Sequence, residues 1–403
     1  MPLVPPETAA CARATPRQVK NILAIQYSQT GQLASVMDAL LAPLTRAARA
    51  GREGREGREG RANVSVHREI LRHAPGREYP YPWPLWTFMD TFPETVAGDP
   101  PPLAPLNAEL AATPAPDFDL VIIGYPVWFL SPPPALTAFL RGDAARKLLR
   151  GRPVITVTAC RNMWLMAQEK VKKLLRDIGA RHCDHIALTD QGSAFATFIT
   201  TPRWLLTGRK NAFLGLPPAG VPARDIAACS RFGRALLDAL ERDAERSHPF
   251  GMSEKRASAV AQAASLLDCP NAIDAKAGWQ PALQRFAPPP LLAGLRACTV
   301  DTRLIASERI GIRSFRVWAK ILRACGRPGA PLRRAMLFLY TVFLLTAIVT
   351  VVPASMATKA LLRPFLRAKL NRLKQLYEQP SGSGTERLAL FSHDFSTDDT
   401  DNP

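Results

Sequence analysis

The sequence predicts an α/β protein whose core is an open five-stranded parallel sheet with helices on both faces. Three observations predict it. Short runs of strand length, most of them mainly apolar, recur along the first 190 residues. Stretches of helical periodicity separate them, and polar or glycine residues follow each run. Strands buried on both faces of a parallel sheet read as continuous apolar runs, whereas half-solvated strands alternate.

Asn21–Tyr27 (NILAIQY) is the first such run. After a polar loop, Leu33 to Ala50 places Leu33, Val36, Met37, Leu40, Leu41 and Leu44 at helical spacing, so the opening reads strand, loop, helix. The triplet Gly51-Arg52-Glu53, run three times to Glu59 and closed by Gly60-Arg61, has no apolar residue and reads as a solvated loop over 51–61. Asn63–Ile70 alternates as a second strand. From Ala74 to Pro116 the chain is rich in proline and aromatic residues. Its segment Tyr79–Trp86 (YPYPWPLW) makes a stiff apolar surface that packs across a sheet end or lines a binding mouth.

Asp119–Gly124 (DLVIIG) and Pro153–Ala159 (PVITVTA) supply the third and fourth strands, with a helix starting over Ala135–Leu140 between them. Met166–Ile178 carries Val171, Leu174, Leu175 and Ile178 on one face and lysines on the other, an amphipathic helix. Cys183–Leu188 is the fifth strand and Ile226–Ala244 the closing helix.

At 403 residues the chain exceeds one core, so a second unit is expected. The division is a flexible N-terminus over 1–19, the α/β domain over 20–249, a helical region over 250–334, an apolar segment with a basic membrane-proximal helix over 335–377, and a disordered tail over 378–403. Ala335–Thr358 is the longest uncharged stretch, almost wholly apolar up to Val352 and interrupted by Pro353. Arg333 and Arg334 precede it; Lys359, Arg363, Arg367, Lys369, Arg372 and Lys374 follow. A single crossing would send a strongly basic tail outward, so a re-entrant or in-plane membrane helix competes with a span.

The net charge of +18 attracts anions of every kind. No RNA-recognition signature, zinc-finger spacing or interleaving of aromatic and basic residues on a sheet face accompanies it, so no nucleic-acid partner is expected. Seven scattered cysteines without a C-x-x-C pair fit a reducing compartment. The first 15 residues hold prolines and no apolar core of the secretory kind, so the domain is expected in the cytoplasm, at the inner face of the inner membrane.

Three expected loops carry the chemistry. In an open α/β sheet, ligands sit beyond the carboxyl ends of the strands, at free N–H groups of the next helix. Ser28, Gln29, Thr30, Gly31 and Gln32 follow the first strand with hydroxyls, amides and the glycine that lets a backbone close round phosphate oxygens; an ordinary capped turn would carry the same residues. Gly124–Pro133 (GYPVWFLSPP) follows the third strand, and Tyr125, Trp128 and Phe129 suit a flat polarisable ring, or a hydrophobic connection packed under a helix. Arg161 and Asn162, after the fourth strand, add a donor pair. Tyr125, His185 and Asp190 are the titratable groups nearest the strand ends and the candidates for a catalytic base, though each also suits a structural role. His182 and His185 lack a third ligand, so no metal is expected.

The order of NILAIQYSQTGQL, DLVIIGYPVWFLSPPPALTAFL and PVITVTACRNMW resembles flavodoxins and the NAD(P)H-dependent FMN reductases. More narrowly, Tyr27–Leu33, Trp83–Val96 (WPLWTFMDTFPETV) and Gly124–Pro133 resemble the flavodoxin-like dialkylresorcinol condensing enzyme or aromatase group, over much of residues 20–215. The resemblance implies a flavodoxin-like fold with FMN as cofactor, its phosphate on Ser28–Gln32 and its ring beside Tyr125, Trp128, Arg161 and Asn162. It implies oxidative aromatisation of a lipid-like cyclic diketone in dialkylresorcinol or aryl polyene metabolism, with a ketosynthase partner. An NAD(P)H-dependent FMN or quinone reductase, and a membrane-bound electron-transfer flavodoxin without its own substrate, remain open beside it. The Gly-Arg-Glu insert and the apolar, basic C-terminal part are not flavodoxin features.

Overall fold

The computed structural model describes residues 19–52, 64–112, 116–193, 196–246, 300–350 and 366–378. Five strands, β1 (Lys20–Gln26), β2 (Val64–Ile70), β3 (Leu120–Tyr125), β4 (Pro153–Cys160) and β5 (Arg181–Thr189), form one sheet in the order β2-β1-β3-β4-β5. Every pair is parallel. This is the flavodoxin-like winding, in which the connection reverses direction between β1 and β3.

Between the strands lie α1 (Gln32–Arg52), α2 (Leu85–Asp90), α3 (Phe92–Ala97), α4 (Ala108–Ala111), α5 (Pro134–Arg141), α6 (Asp143–Leu149) and α7 (Leu165–Ile178). After β5 come α8 (Thr197–Thr207), α9 (Ala223–Ala227), α10 (Ser230–Arg246), α11 (Thr302–Ala324) and α12 (Pro331–Val349); residues 366–378 are also helical.

Successive strand residues leave on opposite faces. Ile22, Ala24, Leu120, Ile122, Ile155 and Val157 meet the apolar stripes of α1 and α10, including Val36, Leu40, Phe232 and Leu236. Leu23, Ile25, Val121, Ile123 and Val154 meet Leu136, Phe139, Leu148, Val171 and Leu175 of α5, α6 and α7. Each such side chain contributes about 1.5–3 kcal/mol by leaving water, which explains why the central strands read as unbroken apolar runs.

The strands fall where the sequence puts them, to within a few residues. The closing helix differs. Pro222 starts α9, and a turn at Ala228 and Cys229 separates it from α10, because the chain must bend before Phe232 can reach α1. The proline- and aromatic-rich stretch also holds α2 and α3, whose periodic segments are too short to stand out in sequence. Of the Gly-Arg-Glu loop, Gly51 and Arg52 belong to α1; the rest, with residues 1–18, 247–299, 351–365 and 379–403, lies outside the described residues.

The described C-terminal helices pack onto the α/β unit. Phe92 of α3 stacks on Tyr340 of α12 with centroids 4.4 Å apart and meets Phe315 of α11 edge-on at 5.2 Å. Arg333, 1 % exposed, donates to Asp90 at 2.6 Å and to Glu94 at 2.6 and 2.7 Å. Desolvating these charges offsets most of their attraction, so the cluster places α12 on α2 and α3 more than it adds net stability. By length and composition α12 could cross a membrane.

Candidate functional site

All five strands end on one edge, and the reversal between β1 and β3 is where this winding leaves room for a ligand. The loop after β1 lies there. Gly31 has φ +81°, a conformation that favours glycine, and open space surrounds the position a Cβ would take. The carbonyl of Gly31 accepts from the N–H of Ser35 at 3.1 Å, and Ser28 Oγ from the N–H of Ala34 at 3.3 Å. Among the described residues nothing accepts from the backbone N–H groups of residues 29–33. A helix N-terminus with unclaimed donors around an open glycine has the chemistry to receive an anion.

Two side chains of this loop have structural work. Gln29 accepts from the Tyr27 hydroxyl at 2.6 Å and donates to the carbonyls of Tyr79 and Pro80, each at 3.0 Å, tying the aromatic segment over the loop. Gln32 Oε1 accepts from the N–H of Val221 at 2.8 Å, joining the start of α1 to the loop before α9.

After β3, the expected ring-flanking residues separate. Tyr125 does not line the edge: its side chain is 0 % exposed on the α7 face, and its hydroxyl donates to Gln168. Gln168 donates to Thr156, whose hydroxyl also bonds both His182 and His185. Trp128 does reach the edge, packed against Tyr27, Tyr79 and Trp83 at centroid distances of 5.8, 5.4 and 5.3 Å, and is 7 % exposed. Phe129 and Leu130 then take φ of +48° and +56° in a turn closed by reciprocal bonds between Trp128 and Ser131. Left-handed bulky residues cost about 1–3 kcal/mol each. The turn is held because Phe129 packs on Phe88 and Phe92, while Leu130 fills the space left by Gly311 of α11.

After β4, Arg161 stacks over Phe198 at 3.7 Å, and burial pushes its guanidinium down to about 10, still charged at neutral pH. The side-chain oxygen of Asn162 is buried without a hydrogen-bond partner. Asp190, after β5, accepts from the N–H groups of Gly192 at 2.7 Å and of Gly220, so both its oxygens clamp backbone. His185 lies inside the sheet layer, and burial holds it well below its ordinary range, neutral and away from the edge. Thus Ser28–Gln32 and Trp128 are neighbours through Tyr27 and Tyr79, Arg161 and Asn162 follow on the same edge, and Tyr125 and His185 are interior. The unclaimed donors and the orphaned Asn162 oxygen fit a phosphorylated planar cofactor with ring N–H groups. The closed faces of Trp128 fit it less well.

Sequence reading missed Glu308 of α11. Fully buried, it accepts from the N–H of Met166 at 3.1 Å at the start of α7, and its other oxygen has no partner. Burial pushes the pKa of its carboxyl up to about 8 against the opposing backbone donors and Arg161. The signal was present: Glu308 stands on the apolar stripe of Ile305 and Ile312.

No family model matches the chain, and no curated protein does. Among solved structures it is similar to a flavoprotein in complex with FMN from Lactobacillus acidophilus NCFM, at 14% identity and TM-score 0.29, covering 42% of this chain and 91% of that one. It is also similar to oxidised flavodoxin 1 from Bacillus cereus, at 14% identity and TM-score 0.26 over 53% and 95%. A flavodoxin, WrbA-like protein from Agrobacterium tumefaciens gives 10% identity and TM-score 0.29 over 56% and 98%. The fold assignment rests on the strand order itself.

Glu308 makes stability depend on pH. The pKa of its carboxyl is raised on folding, so the folded chain holds a proton that the unfolded chain releases, and this contribution, complete in acid, is lost as pH rises through about 8. Glu308→Gln mimics the protonated form. It is expected to unfold at a higher temperature than the unmodified chain above about pH 8 and at the same temperature near pH 5. A gap in thermal unfolding that does not close on acidification contradicts this.

Proposed function

We propose that the protein is an FMN-dependent oxidoreductase working at a membrane surface, where it converts a cyclohexane-1,3-dione bearing alkyl chains into a dialkylresorcinol-type lipid. The observation that carries the reading is the loop Ser28–Gln32, with unclaimed N–H groups around Gly31 at the β1/β3 reversal. Those N–H groups and the Thr30 hydroxyl would hold the phosphate. The Asn162 oxygen would accept from a ring N–H, and the positive charge of Arg161 favours electron density on the ring.

When bound, FMN supplies an acceptor for a hydride. Aromatisation removes two hydrogens from the dione, one as that hydride and one as the acidic proton beside a carbonyl, which leaves to water or a base. The chain's own part is then binding and orientation. The burial of Tyr125 and His185 and the clamped carboxylate of Asp190 leave water the simplest proton acceptor. A cleft of about 750 Å³ between the aromatic segment and α12 has the size for an alkyl chain; Tyr79, Trp86, Leu337 and Phe338 would take the chain, while Asp90, Glu94, Asp99 and Arg334 make the rest of the lining polar. A ketosynthase is the class of enzyme that supplies such a dione, and it is the protein partner this reading carries.

The membrane side of the proposal rests on α12. Leu339, Val342, Leu345 and Val349 are exposed, beside exposed Leu85 and Trp86 of α2. Tyr340 is buried against α3, Phe343 meets Trp318 of α11 at 5.1 Å and Leu344 packs on the same cluster, so only Leu345–Val349 extends beyond the packed part, about 8 Å of helix against a hydrocarbon core of about 30 Å. That favours a helix lying in one leaflet over a crossing, with the α/β unit at the cytoplasmic face of the inner membrane, in keeping with the free thiols of Cys160, Cys183, Cys229 and Cys325.

With FMN added to the chain in mild detergent, an alkyl cyclohexane-1,3-dione is expected to abolish the visible flavin absorbance without oxygen and to yield one resorcinol per flavin. Absorbance that persists with the dione but is lost with NADPH would instead mark a reductase. In flotation, the full chain should rise with vesicles while Leu339→Asp/Val349→Asp stays below. An unmodified chain that stays below contradicts membrane docking.

A further inference from the structure

Away from the strand-end edge, the end of α3 joins α5, α7 and α11 around a cleft of about 470 Å³. Its charge is one-sided. Arg141, Arg146, Lys170, Lys173 and Arg316 line it against a single acid, Asp177. Lys173 pairs with Asp177 at 2.7 Å and Arg146 with Asp143 at 2.8 Å. Arg141, Lys170 and Arg316 have no carboxylate partner among the described residues.

These cations are positioned rather than scattered. The half-buried ammonium of Lys170 donates to the carbonyl of Val96 at 3.0 Å and to Ser131 Oγ at 2.7 Å, which leaves one of its three N–H groups over. Arg141 donates to the carbonyl of Gly98, where φ is +72°; a Cβ there would stand 3.2 Å from its guanidinium, so the glycine admits it. Burial first, then the charges of Arg316 and Arg141, push the Lys170 ammonium down to about 8. Three cations gathered from separate parts of the chain repel one another unless an anion lies between them, and two guanidinium groups suit the paired oxygens of phosphate.

We propose that this cleft is a second anion site that takes the phosphate group of a small phosphorylated molecule or of an anionic lipid, with Arg141, Lys170 and Arg316 as its donors. It lies behind the α5 and α7 layer, separate from the Ser28–Gln32 loop, and stands whether or not that loop holds FMN.

The test uses the full chain in mild detergent with inorganic pyrophosphate as probe, titrated calorimetrically at fixed ionic strength. Arg141→Gln and Arg316→Gln are each expected to weaken binding about tenfold. Arg313→Gln, an exposed arginine of α11 outside the cleft, should leave it unchanged. That result assigns a soluble phosphate. A second arm compares phosphatidylcholine vesicles with and without phosphatidic acid. If pyrophosphate does not bind but the gain from phosphatidic acid falls in Arg141→Gln and Arg316→Gln and not in Arg313→Gln, the source is a lipid headgroup. Binding that is absent in both arms, or that Arg313→Gln weakens as much as the cleft variants, overturns the proposal. Both cleft side chains are exposed, and unfolding temperatures without probe separate lost binding from lost fold.

Discussion

Parallel pairing of strands buried on both faces is the constraint from which the rest of this structure follows. Such a sheet must be covered by a helix layer on each side, so each strand has to be followed by a crossover, and every strand-to-helix loop arrives at the same edge. Ser28–Gln32, Trp128, Arg161 and Asn162 are far apart in sequence and share that edge for no other reason. The reversal between β1 and β3 then leaves room beyond the strand ends, and the loop with the unclaimed N–H groups follows β1 at that point.

The C-terminal helices change what an isolated α/β unit would be. Arg333 holds α12 to α2 and α3 through Asp90 and Glu94, Glu308 caps the start of α7, and Leu130 reaches the gap at Gly311. Leu130 ties the strained turn after β3 to Gly311, nearly two hundred positions later in the chain, and Phe129 ties it to Phe92, which itself packs on α11 and α12. The edge that would bind a cofactor and the surface that would meet lipid are therefore parts of one packed body, joined through the aromatic segment Tyr79–Trp86.

The strands and the long helices were legible because burial imposes period and length on the sequence: NILAIQY and DLVIIG have few other uses. The first loop was legible because a glycine at a strand-to-helix turn marks a backbone need. The orientation of Tyr125 was not. It is the last residue of β3, and alternation along that strand sends it to the α7 face with Val121 and Ile123, a consequence of register that one residue of uncertainty in a strand end hides. The roles of Glu308 and Arg333 depend on long-range packing, and their only local trace is a charge on an apolar helix face.

The central claim is that the turn behind β1 grips a phosphate. It is tested most directly by titrating FMN and riboflavin in parallel against the purified chain and following quenching of flavin fluorescence. The account predicts that FMN binds at least about tenfold more tightly and that Gly31→Val, which strains the left-handed turn, removes the difference. Equal affinity for the two flavins, or no binding of FMN at all, would contradict it.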